Sequence, residues 1–247
     1  MKATSTVTFP NESERYRQAR ETLLAAEVEL RRKIEEVAEL RRQLPVGGRV
    51  AEDYEFDEAA IEAGGAERTR PVRLSQLFAP GQHTLLLYSY MYGPQMATPC
   101  TSCTSILDGL DGEAPHVRDR VSFAVVAKSP IERVRQIARE RGWRNLRLLS
   151  SSRNSYNHDY HGETADGEQM PMLNVFVQRD GGIYHSYATE LLYAPSEPGQ
   201  DGRHVDMIWP LWNLFDLTPE GRGTSWYPKL SYDAAPLHGL ARPTARA

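Results

Sequence analysis

Two nearly continuous apolar runs, residues 83–90 and 122–127, constrain the fold more than any other feature of the chain. A strand that is apolar on both faces is buried on both faces, as in sheets whose parallel strands are joined by crossover helices. Helix-forming sequence follows each run. After the first comes a Gly93-Pro94 break, then Cys100-Thr101-Ser102-Cys103 and a short helix through Leu107 and Leu110. After the second, residues 130–141 place Ile131, Val134, Ile137 and Ala138 on one helical face, with Pro130 at the start and Gly142 at the end. Arg147-Leu148-Leu149 reads as a third short strand. Residues 172–177 and 182–187 flank Arg179-Asp180-Gly181, the pattern of an antiparallel hairpin. The order strand, C-x-x-C, helix, strand, helix, strand, loop, hairpin predicts an α/β fold with a mixed sheet flanked by helices.

Ahead of this core, residues 11–44 read as one long helix. Tyr16, Ala19, Leu23, Ala26, Leu30, Ile34, Val37, Leu40 and Leu44 recur at helical spacing, flanked by mixed charge, until Pro45, Gly47 and Gly48 stop the pattern. So narrow a stripe suits either packing on the chain's own domain or a coiled-coil-like seam with a second copy, a homodimer. Residues 49–70 are acidic and short on periodicity, with Gly64-Gly65 marking a turn, and residues 72–78 form a short alternating strand or a strand-to-turn piece. The polar stretch 150–169 is too long for a plain connection and is a candidate functional loop. The C-terminal part is irregular and aromatic-rich, with Trp209, Trp212, Phe215, Trp226 and Tyr227. The expected divisions are a helical arm at 1–48, a main domain at 49–233 and a loose tail at 234–247.

Charge narrows the function. With 29 Lys and Arg against 33 Asp and Glu, the net charge of −4 argues against a nucleic-acid partner. No apolar run is long enough for a membrane-spanning helix, and the N-terminus lacks the apolar core of a signal peptide, so the expected location is cytoplasmic. The only two cysteines form the C-x-x-C. In a reducing compartment that motif reads as a redox dithiol or half of a metal site. The dinucleotide, Walker, serine-hydrolase and zincin motifs are missing.

The strand, C-x-x-C and helix order resembles the thioredoxin-like superfamily. More closely, the chain is similar to a bacterial family labelled "predicted dithiol-disulfide oxidoreductase". The matching pieces are the long N-terminal helix running into Arg41-Arg42-Gln43-Leu44-Pro45, Leu74-x-x-Leu77-Phe78, and Tyr92-Gly93-Pro94 ahead of the cysteines. Further on come Tyr156-Asn157-x-Asp159-Tyr160-His161, Val175-Phe176-x-x-Arg179-Asp180-Gly181 with Tyr184-His185-x-Tyr187, and Asp216-Leu217-Thr218-Pro219-x-Gly221-Arg222. The resemblance implies a thioredoxin-like sheet. It also matches Pro171 to the proline, usually cis, that opens the strand facing the dithiol. Two departures stand out: Pro99 replaces the tryptophan that precedes the first thioredoxin cysteine, and residues 90–99 insert between strand and dithiol.

Two chemistries fit these residues. As a dithiol without cofactor, Cys100 at a helix N-terminus is the attacking thiolate, Cys103 resolves, and Pro171 shapes the surface where a disulfide-bearing protein or small molecule docks. Alternatively, Cys100 and Cys103 with His161 and His185 form a site for copper, or less favourably zinc. His158 stands nearby in sequence, and Asp159 either orients His161 or caps a turn. Copper with dioxygen would oxidise a phenol in a pocket lined by Tyr88, Tyr90, Tyr92, Tyr156, Tyr160 and Tyr184. A third reading is a non-catalytic assembly module driven by the N-terminal helix.

Overall fold

The computed structural model describes residues 7–61, 67–198, 207–223 and 225–232. The chain divides into two compact units, residues 1–47 and 48–247. The first unit is built on a single helix, α1 (Glu14–Arg42). Ser13 caps it, its Oγ accepting from the Tyr16 N–H, and Glu14 in the first turn and Arg41 and Arg42 in the last complement the helix dipole. Arg32–Glu29, Lys33–Glu36 and Arg42–Glu39 ion pairs, each one turn apart, line its polar side. The helix is shorter than the stripe at 11–44 because the serine cap begins it and Gln43 ends it ahead of Pro45.

The second unit is built on one seven-stranded mixed sheet. Its strands are β1 (Glu55–Ile61), β2 (Glu67–Arg73), β3 (Thr84–Tyr90), β4 (Ser122–Ala127), β5 (Leu148–Ser150), β6 (Met172–Arg179) and β7 (Gly182–Ala188), in the order β2-β1-β5-β4-β3-β6-β7. β3, β4 and β5 are parallel, joined through α2 (Thr101–Arg118) and α3 (Ile131–Arg141), while β6 runs antiparallel to β3 and hairpins into β7. Alternation explains the continuous apolar runs. Tyr88 and Tyr90 of β3, with Val125 and Ala127 of β4, join a cluster with Leu107 and Ala114 of α2 and Val134 of α3. Leu85, Leu87, Ala124 and Val126 face the other way, into a cluster with Phe56, Leu74, Leu77, Tyr156 and Phe176. The α/β architecture expected from the sequence is the one observed.

Residues 49–70 depart from expectation. Instead of an irregular acidic stretch, residues 55–61 and 67–70 lie in the antiparallel β1–β2 pair; the expected Gly64-Gly65 turn lies outside the described residues. The strand alternation is hidden because Glu58 occupies an inward position, 5% exposed, held by Arg147 just ahead of β5 and by Arg70, its cross-strand neighbour. A carboxylate is buried here because two guanidiniums meet it. Residues 72–78 end β2 and then form a 3-10 turn at Leu74–Leu77. The polar stretch contains a short helix, α4 (Tyr156–Asp159). The C-terminal part is less irregular than expected, with α5 (Leu211–Asp216) and an edge-to-face cluster in which Trp212 meets Trp209, Phe215, Trp226 and Tyr227. The expected loose tail lies outside the described residues. Among the described residues, no helix is long and apolar enough to cross a membrane.

Candidate active site

The loop after β3 brings the dithiol back to the sheet. The Cys100 N–H donates to the Met91 carbonyl at 3.0 Å, so residues 91–99 leave the strand end and return to it. Arg133 of α3 straps this loop: its guanidinium donates to the carbonyls of Pro94, at 3.0 Å, and Met96, and lies 4.5 Å from the Tyr92 ring centre. Ser129 adds bonds from its N–H to the Tyr92 carbonyl and from its Oγ to the Gly93 carbonyl. Nothing in the sequence marked Ser129 or Arg133, because each reads locally as an ordinary residue around a helix start.

Cys100 is the N-cap of α2, where serine or aspartate usually stands. Its half-buried Sγ accepts the Cys103 N–H at 3.5 Å. The Cys103 thiol hydrogen-bonds the same sulfur, and with the N–H groups of Cys103 and Ser102 it outweighs burial, bringing the Cys100 pKa down to about 6. Cys103 is 2% exposed. Its bond to Cys100, burial and the neighbouring charge push its own thiol well above the ordinary range. The two sulfurs therefore divide into an accessible thiolate and a buried thiol. Behind them, Thr104 Oγ1 donates to the Cys100 carbonyl at 2.7 Å and meets the Tyr90 hydroxyl at 2.8 Å, fixing the first turn of α2 against β3. The Cys100 rate of alkylation by iodoacetamide is expected to rise with pH through a midpoint of about 6 and then level off, since only the thiolate reacts. A midpoint near that of an ordinary cysteine thiol would contradict this site.

Pro171 immediately precedes β6, whose Met172 pairs with Ser89 of β3. It therefore stands at the strand end where the dithiol loop departs and returns. Its peptide bond is trans, since no peptide bond among the described residues is cis.

The histidines gather elsewhere. His185 on β7 pairs with Phe176 on β6 and packs 5.5 Å from its ring. Phe176 belongs to the cluster opposite the one that holds Cys103, so strand alternation puts His185 on the other side of the sheet from the buried thiol. His161 and His185 border a groove of about 960 Å³ together with Tyr160, Met172, Asn174 and Glu190, and neither cysteine lines it. The Asn174 amide donates to the Tyr160 carbonyl, leaving its oxygen to accept from His185 Nε2–H at 3.0 Å. Burial lowers the His185 pKa, favouring the neutral ring. His161 is exposed, in left-handed backbone at φ 56°, and its carbonyl accepts from the Tyr193 hydroxyl. Asp159 bonds Tyr54, Ser155 and His158, not His161.

The set Cys100, Cys103, His161 and His185 is thus not brought together. Among the described residues, no three His, Cys, Asp or Glu side chains are grouped to hold a metal ion. The six tyrosines do not share a pocket either. Tyr88, Tyr90, Tyr92 and Tyr156 are buried in the two clusters, Tyr184 lies beside Gly182, and Tyr160 alone reaches the histidine groove. Their number reflects packing, the commoner use of aromatic rings.

A parallel β3–α2–β4 unit, an antiparallel β6–β7 hairpin on the far side of β3, and a C-x-x-C at the start of α2 define a thioredoxin-like α/β protein. The chain belongs to the family described as "Bacterial protein of unknown function (DUF899)", which matches residues 6–234. No curated protein matches it. Similar solved structures include the reduced 2-Cys peroxiredoxin of Plasmodium vivax, 19% identical over 66% of this chain and 78% of that one, with a TM-score of 0.44. Thioredoxin peroxidase I of Plasmodium yoelii is 14% identical over 75% and 100% of the two chains, with a TM-score of 0.43. Peroxiredoxin Q of Xanthomonas campestris is 16% identical over 58% and 84%, with a TM-score of 0.38. Likenesses this distant carry nothing about activity.

Proposed function

We propose that the protein is a thiol–disulfide oxidoreductase acting through Cys100 and Cys103. The observation that supports this reading is the opposite displacement of the two thiols at one helix start: Cys100 down to about 6 and half-buried, Cys103 raised and buried behind it. A pair arranged in this way attacks with one sulfur and resolves with the other. The Cys100 thiolate attacks one sulfur of a substrate disulfide; the substrate's S–S bond breaks and its other sulfur leaves as a thiolate that takes a proton from water. Cys103 then loses its proton and attacks Cys100 Sγ, releasing the second substrate thiol and leaving a Cys100–Cys103 disulfide. Two electrons pass from the protein to the substrate, and an external dithiol returns them for the next turnover. Pro171, at the same strand end, borders the docking surface for a disulfide-bearing protein or small molecule. A reducing compartment such as the cytoplasm keeps both thiols ready for this cycle.

The test is to expose reduced Cys103→Ser protein to glutathione disulfide and map the adduct by mass spectrometry. A stable glutathionyl adduct on Cys100 is expected. The wild-type protein, given the same treatment, should end as an internal disulfide without adduct. An adduct mainly on Cys103 in the Cys100→Ser protein, or none on Cys100, would remove the proposal.

A further inference from the structure

β3 presents two tyrosines to the start of α2 from one face, since residues two apart in a strand share a side. Tyr90 is satisfied by Thr104, the residue after Cys103. Tyr88 is buried just as deeply, 1% exposed, yet its hydroxyl makes no hydrogen bond in the resting geometry. An unpaired buried hydroxyl is a cost to the folded protein, and one at a reactive centre calls for a reason. Tyr88 and Cys103 share one buried cluster. The Tyr88 hydroxyl from the strand and the Met91 N–H from the loop both favour the ionised form of the Cys103 sulfur.

We infer that the Tyr88 hydroxyl is held unpaired in the resting protein in order to donate to the Cys103 thiolate during the resolving step. The inference rests on the dithiol reading and gives it an order of events. In the reduced protein Cys103 is a thiol that donates to the Cys100 thiolate, and a second negative charge beside it is opposed. When Cys100 forms the mixed disulfide its charge disappears, and with it the main cause that kept Cys103 protonated. The groups then facing Cys103 are the Tyr88 O–H and Tyr90 from β3, the Met91 N–H from the loop and the uncharged Cys100 sulfur from α2. The largest influences on Cys103 and Tyr88 are burial, the two sulfurs, the Tyr88 and Tyr90 hydroxyls and the Met91 N–H. Stabilisation of the new thiolate thus falls to two donors. Cys103 gives its proton to solvent base, its thiolate forms the bond to Cys100 Sγ, the bond from Cys100 to substrate breaks, and the substrate sulfur leaves as a thiolate. The device keeps Cys103 inert until Cys100 has reacted.

The experiment follows the two thiolates released from the coloured aromatic disulfide dithiobis(nitrobenzoate) by rapid mixing across pH, in wild-type, Tyr88→Phe and Cys103→Ser proteins. Phenylalanine keeps the ring in place, so the fold is preserved while the hydroxyl is lost. The first release, from Cys100, is expected at the same rate in wild type and Tyr88→Phe, whereas Cys103→Ser, which removes the thiol bonded to Cys100, serves only to identify the second release. The second is absent in Cys103→Ser. In Tyr88→Phe it is expected to slow about tenfold at pH 7, its pH midpoint moving up by about one unit and the gap closing at high pH. A second release that superimposes on wild type, or one slowed equally at every pH, would overturn the role given to Tyr88. Loss of the first release in the wild-type protein would instead bring down the dithiol reading beneath it, and the separate phases keep the two failures apart.

Discussion

Replacing Cys100 by serine is expected to lower the rate of disulfide reduction at pH 7 by a factor of about 1,000 or more. The physical reason is that the other sulfur cannot take its place. With a pKa of about 6, Cys100 is mostly thiolate at neutral pH, and the half-buried sulfur is open to a substrate. Cys103 is buried and held as a thiol, so a substrate disulfide cannot approach it in line, and little of it is ionised. A serine hydroxyl at the N-cap keeps the helix start intact, so stability should change little. The measurement is the second-order rate constant with glutathione disulfide, alongside a denaturation curve to establish the fold. A Cys100→Ser protein retaining more than about a tenth of the wild-type rate would move the nucleophile elsewhere.

Truncating Phe176 to alanine is expected to destabilise the protein by about 3–5 kcal/mol, the range for removing a fully buried aromatic ring. Phe176 is 0% exposed at the centre of the sheet face opposite the thiols. Its ring meets Tyr160 at 4.9 Å, His185 at 5.5 Å and Tyr156 at 6.2 Å, so one truncation leaves a cavity against three rings and loosens β6 against β7. Urea denaturation reads the loss as a lower midpoint at unchanged slope. Because the ring and the dithiol lie on opposite sides of β3 and β6, the Cys100 alkylation midpoint should stay near 6 under native conditions. A loss below about 1 kcal/mol would mean that this face is not packed as described.

Much of the architecture was legible because its signals are local. The two apolar runs became β3 and β4, the amphipathic stretch after Pro130 became α3 with Gly142 in its left-handed cap, and Asp180-Gly181 turned the β6–β7 hairpin. The β1–β2 hairpin was not legible. Its inward Glu58 is tolerable only because Arg147, far along the chain, arrives beside it. The separation of Cys100 and Cys103 from His161 and His185 was not legible either. His161 and His185 do border one groove, but the period of two that places His185 beside Phe176 also turns it away from Cys103.

By itself the sequence determined the C-x-x-C at a helix start, and with it the lowered pKa of Cys100. That follows from the thiol and N–H groups of the residues immediately after it, a matter of one helical turn. It likewise determined the alternation of strands and helices, which rests on side-chain periods within single segments. Only the tertiary structure decided how deeply Cys103 is buried, that Tyr88 lies unpaired against it while Tyr90 is satisfied, that Arg133 straps the dithiol loop, and that thiols and imidazoles stand on opposite faces. Each of these depends on the register between segments tens of residues apart, and a local pattern of polar and apolar residues carries no record of which distant segment it will meet.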